Sequence, residues 1–95
     1  MLSPQQIQMI IDVMKPYNPK KIGIFGSFAR GENSVESDID ILYDYDGKLS
    51  LLDHIRMMNE LEKSLKKQID LVTFNALHPL LKEQILTDLK IIYEN

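Results

Sequence analysis

The chain has 95 residues, 44% of them hydrophobic and 26% charged, with a formal net charge of -3 and no cysteine. Length and composition fit a single soluble domain over residues 1–95 with one modest core, and leave no room for a second domain. The acidic balance argues against strong, sequence-independent nucleic-acid binding, which needs a surplus of lysine and arginine. The absence of cysteine excludes disulfides and thiolate zinc sites.

The first residues carry neither the basic stretch nor the apolar run of a secretory signal, and no segment approaches the ~18 apolar residues of a membrane span. A cytoplasmic protein without a membrane partner is the expectation. In chain order, Ser3 as N-cap and Pro4 at the first helical position open a helix over 3–14, with Ile7, Ile10, Ile11 and Met14 on one face. Pro16 and Pro19 stop it. Lys21 to Phe25 is a short β-branched and aromatic run closed by Gly26-Ser27, which predicts a buried strand turning tightly into a short helical element. After a polar segment over 31–37, acidic and aliphatic residues alternate from Asp38 to Tyr43, the pattern of a strand with two different faces.

Asp44, Asp46 and Gly47 mark a turn, Ser50 is a candidate N-cap, and Leu51 to Lys67 repeats apolar residues at helical spacing. Gln68 to Phe74 reads as a third strand. Leu81, Ile85, Leu89 and Ile92 predict a last helix over 80–93. The expected fold class is α/β (α+β): a small mixed sheet with helices packed mainly on one face, leaving the other face partly open. A helix between strands two and three permits a parallel crossover, although pairing order is not encoded in the pattern.

Three features invite chemistry. Asp38 and Asp40 are two apart on a strand, so their carboxylates point the same way from Cα atoms ~6.6 Å apart. A solvated strand face is the plain explanation, yet two like charges on a poor strand former cost stability unless a cation neutralises them. Asp70, set among Ile69, Leu71, Val72 and Phe74 in a strand of core character, is harder to explain as surface. If strands two and three are neighbours, Asp38, Asp40 and Asp70 form an oxygen-only cluster suited to magnesium, with manganese an alternative. Three carboxylates can hold two ions ~3.5–4 Å apart, one activating an attacking hydroxyl and one stabilising a leaving pyrophosphate. The turn then acquires a task, because amides at the start of the short helix after Gly26, with the Ser27 hydroxyl, can hold a triphosphate. Arg30 can fork onto phosphate, or pair with Glu32.

Gly26-Ser27-Phe28-Ala29-Arg30-Gly31, Ser37-Asp38-Ile39-Asp40-Ile41-Leu42 and Ile69-Asp70-Leu71-Val72 together resemble the signature of the polymerase-beta-like nucleotidyltransferases. The likeness is narrower to the minimal nucleotidyltransferases (MNT) paired with HEPN ribonuclease toxins in toxin–antitoxin modules, and it covers Lys21 to Phe74. The resemblance implies that Asp38 and Asp40 bind metal, that Asp70 completes the triad and assists deprotonation of the acceptor, and that Gly26 and Ser27 bind ATP. It implies a protein adenylyltransferase that moves AMP onto a hydroxyl, that of a tyrosine, of a HEPN toxin held in a hetero-oligomer. A binding antitoxin that works by occlusion, and an enzyme acting on a small molecule or RNA, are the alternatives. His54 and His78 read as structural, Met57 and Met58 as core or interface filling, and Tyr43 and Tyr45 as neighbours of the acids. Lys63, Lys66 and Lys67 read as a solvated helix end favoured by the dipole.

Overall fold

A computed structural model describes residues 2–95. Helix α1 (Pro4–Met14) starts in a full capping box, Ser3 accepting from the Gln6 amide and Gln6 returning the bond to the Ser3 amide, and it buries Ile10 and Met14. A single 3-10 turn (Lys15–Tyr17) and Asn18 in the left-handed conformation (φ 58°) redirect the chain into β1 (Pro19–Phe25). Next come the short helix α2 (Gly26–Arg30), β2 (Ile39–Tyr45), α3 (Leu51–Leu65) and β3 (Ile69–Thr73). Ser50 caps α3 by accepting from the Asp53 amide, and Lys66 ends it in the left-handed conformation (φ 56°).

The four-stranded sheet has the order β3-β2-β1-β4. β2 and β3, joined by the crossover helix α3, are parallel, and the other two pairings are antiparallel. Strand alternation divides the side chains cleanly. Ile22 and Ile24 of β1, Ile39, Ile41 and Tyr43 of β2, and Ile69 and Leu71 of β3 join Ile10, Met14, Met57 and Leu61 in the core beneath α1 and α3. The alternate residues, among them Phe25, Asp40 and Asp70, therefore project from the opposite face.

The end of the chain departs from the sequence pattern. The expected helix over 80–93 is instead α4 (Pro79–Asp88), a bend at Leu89 and a fourth strand β4 (Lys90–Glu94) paired with β1. Ile91, Ile92 and Tyr93 are β-branched and aromatic, and the unpaired edge of β1 outweighs a helical spacing that no glycine or proline interrupts. Leu89 occupies the space into which a Cβ at Gly23 would project, so α4 lies beside the acid-bearing face, apart from the two longer helices. Two boundaries also move: β1 begins at Pro19, and β2 begins at Ile39, which leaves Asp38 in the approach to the strand. Among the described residues no helix is long and apolar enough to cross a membrane.

Candidate active site

The site follows from two registers. Asp40 of β2 stands opposite Asp70 of the parallel β3, so the two carboxylates leave the same face of the sheet at the same level. Across the other ladder Asp40 faces Phe25, the last residue of β1, which places the Gly26 turn directly above it. The fit is tight. Gly26 has φ 72°, and a Cβ there would collide with Oδ2 of Asp40, so both the conformation and the space demand glycine. Asp38 sits just before β2, exposed, and Asp70 is also exposed.

Asp40 is the electrostatic focus. Its carboxyl is pushed up to about 6, by burial first, then by the charges of Asp70 and Asp38, with Arg30 acting in the opposite direction. A carboxyl whose ionisation is made costly by burial and by two neighbouring acids is one that a divalent cation relieves, and all the ligand atoms the three acids offer are hard oxygens. Their carboxylates are brought to one region rather than closed into a cage: among the described residues no three acidic, histidine or cysteine side chains form a ready-made metal cluster. The backbone registers supply the alignment, and the exposed Asp38 and Asp70 have room to rotate.

The remaining expectations divide. α2 has Phe25 at its N-cap with no side-chain cap bond, so no side chain of the cap occupies its leading amides, and Ser27 lies in its first turn. Arg30 donates to Glu32 (2.9 Å) and to Asp88 of α4 (2.6 Å), so its guanidinium ties α2 to α4. Between these helices lies a recess of about 190 Å³, walled by Phe25 and Gly26 on one side and Leu81, Gln84 and Ile85 on the other.

The tyrosines do not border the acids. Tyr43 is buried on the core face with its hydroxyl 2.6 Å from His54 Nδ1, and burial, followed by Tyr45, pushes it up to about 12. His54 is thus structural, and His78 caps α4 by accepting from the Leu80 amide. Sequence reasoning missed two side chains: Asp88, expected to lie mid-helix, and Lys67, whose ammonium bonds to the Val35 carbonyl. Neither has a local signal, because each partner is 30 or more residues away.

A small mixed sheet carrying paired acids beneath a glycine-serine turn defines the nucleotidyltransferase class. A family model described as "Polymerase beta, Nucleotidyltransferase" matches residues 8–95. The chain belongs to this family, in its minimal nucleotidyltransferase branch, and is an enzyme of that type. A candidate protein adenylyltransferase of Methanocaldococcus jannaschii is 46% identical over 79 residues, 83% of this chain and 85% of that protein. Protein adenylyltransferase MntA of Thermococcus cleftensis is 37% identical over 82 residues, 81% of this chain and 83% of that one.

Among solved structures, a toxin–antitoxin crystal structure with AMP-PNP superposes with a TM-score of 0.83 at 24% identity, covering 94% of this chain and 73% of that chain. A structure of tri-AMPylated Shewanella oneidensis HEPN toxin in complex with MNT antitoxin gives 0.77 at 22%, covering 96% and 71%. At these identities the likeness establishes the fold.

Proposed function

We propose that this protein is a metal-dependent protein adenylyltransferase that transfers AMP from ATP to a hydroxyl, a tyrosine, of a HEPN ribonuclease toxin and so acts as its antitoxin. The observation that carries the reading is the alignment of Asp40 with Asp70 beneath a turn in which only glycine fits. The names of the relatives support adenylyl transfer to protein, and the AMP-PNP and AMPylated HEPN complexes support the donor and the partner.

Asp38, Asp40 and Asp70 would hold magnesium, as two ions, and Gly26, Ser27 and Arg30 would bind the triphosphate. Arg30 already uses Nε on Glu32 and Nη1 on Asp88, so a phosphate would share its guanidinium with those carboxylates or displace one of them. The bound ions supply charge neutralisation at the phosphates and lower the cost of ionising the acceptor hydroxyl. The chain's own residues do the rest. The turn holds the phosphate chain in line, and the aligned acids fix where the α-phosphorus lies relative to the acceptor. The hydroxyl oxygen bonds to the α-phosphorus as the bond to the bridging oxygen of pyrophosphate breaks, and the hydroxyl proton passes to Asp70. The acceptor leaves with one AMP, added bulk and added negative charge.

The test incubates the protein and its HEPN partner with magnesium and α-labelled ATP. Label is expected on the partner's tyrosine and absent with Asp38→Asn/Asp40→Asn. A partner neutralised equally well by that double variant would replace catalysis with occlusion.

A further inference from the structure

Lys67 follows α3 and precedes β3, and its ammonium lies where α2, the approach to Asp38 and the head of β3 meet. It donates to the Val35 carbonyl (2.7 Å) and the Ser37 carbonyl (3.5 Å), and it stands 5.7 Å from the centroid of the Phe28 ring, within cation–π range. Phe28 belongs to α2, one residue beyond Ser27. Val35 and Ser37 belong to the approach to Asp38, and Asp70 comes three residues after Lys67 itself.

The segment over 31–38 needs this tether. It contains no helix or strand, and Val35 is 92% exposed, so hydrophobic burial does not fix it. Its start is tied back to α2 by the Glu32 amide on the Ser27 carbonyl (2.9 Å) and by Arg30 on Glu32 (2.9 Å); nearer Asp38 lie a turn in which Ser34 and Ser37 bond to each other (Ser34 N to Ser37 Oγ 2.8 Å, Ser37 N to Ser34 O 3.1 Å) and the bond from the Ile39 amide to the Gln68 carbonyl (3.1 Å). The serine turn is local and moves as a unit. The Gln68 bond secures β2 but begins one residue after Asp38. Lys67 alone among these contacts joins the loop to both α2 and the head of β3.

We propose that Lys67 is a positioning residue for adenylyl transfer: by holding the carbonyls of 35 and 37 against α2, it sets where the Asp38 carboxylate stands relative to Asp40, Asp70 and the phosphate turn. The inference rests on the reading of Asp38 as a magnesium ligand. Outer partners that orient metal ligands typically contribute 10- to 100-fold in metal affinity. A loop held by one charged donor belongs near the lower figure.

Lys67→Met keeps the apolar stem and removes the donor, whereas Lys67→Arg restores cation and donors. Two measurements separate this inference from the proposed function. Amide exchange over 34–38, with neither metal nor nucleotide present, is expected to quicken roughly 10-fold in Lys67→Met and to return toward the parent rate in Lys67→Arg. The magnesium concentration giving half of the thermal stabilisation by ATP is expected to rise roughly 10-fold in Lys67→Met, again recovered by arginine. If the parent chain gains no stability from magnesium and ATP, the metal site itself fails. If the parent does gain it, and Lys67→Met matches the parent in exchange and magnesium dependence, the positioning role is overturned. Lys67→Gln, a shorter neutral donor, carries the same two expectations should the methionine variant not fold.

Discussion

Replacing Asp40 with asparagine should make the ion-free protein more stable while destroying its chemistry. Asp40 lies between burial and two like charges that raise it from the ordinary 3.8 to about 6. Below 3.8 the carboxyl is protonated in both folded and unfolded chains, and its ionisation costs folding nothing. Between 3.8 and about 6 the unfolded chain loses the proton first, so stability falls as pH rises, and above 6 the cost is complete. At 1.36 kcal/mol per pH unit the full difference is roughly 3 kcal/mol, and screening at a half-exposed group reduces it to about 1–2 kcal/mol. Asp40→Asn removes that cost with nearly the same volume and so leaves the contact with Gly26 intact. Because about 1 kcal/mol moves the melting temperature of a domain this size by roughly 4–8 °C, thermal denaturation at pH 7.5 without metal should show a gain of several degrees. The gain should shrink as the pH is lowered from 6 to 4, and added magnesium should stabilise the parent but not the variant. A variant equal to or less stable than the parent at pH 7.5, or a gain independent of pH, would refute the account of Asp40 as a strained carboxylate.

Gly26→Ala places a methyl group on the Asp40 carboxylate at a positive φ, so it should lower stability by about 1–2 kcal/mol and abolish the thermal protection given by ATP with magnesium; retained protection would separate the turn from the nucleotide. Arg30→Ala should quicken amide exchange across α4, and unchanged exchange would show that the bond to Asp88 does not hold the helix. Leu61→Ala, in the core on the side of the sheet opposite Asp40 and Asp70, should cost about 3 kcal/mol in chemical denaturation while leaving the magnesium dependence of the remaining folded protein unaltered.

The strands and helices up to Thr73 were readable because their signals are local: the Ser3 and Ser50 caps, the proline stops, and the alternation that sends Ile39 and Ile41 inward and Asp40 outward. The acids were readable for the same reason, since aspartate in a strand of core character demands an explanation. What was not readable depends on partners distant in sequence. Leu89 and Ile92 fit a helix as well as a strand until the edge of β1 is available, and that edge is nearly 70 residues upstream in the chain. Tyr43 and Tyr45 look like neighbours of the acids when only adjacency in the chain is weighed, whereas the alternation that sends Asp40 outward already turns them inward with Ile39 and Ile41. Lys67 resembled an ordinary solvated helix end, because nothing near it in the chain announces the carbonyls of Val35 and Ser37.

The parallel ladder that aligns Asp40 with Asp70 also ties integrity of the interior to competence of the catalytic face. Sliding β3 by one position would bury a carboxylate and evict Ile69 and Leu71 into water, so such a molecule would not survive to be inactive. A population that melts cooperatively therefore carries its acids in step, and lost activity in a well-folded variant must be sought in the side chains and the approach loop rather than in the sheet.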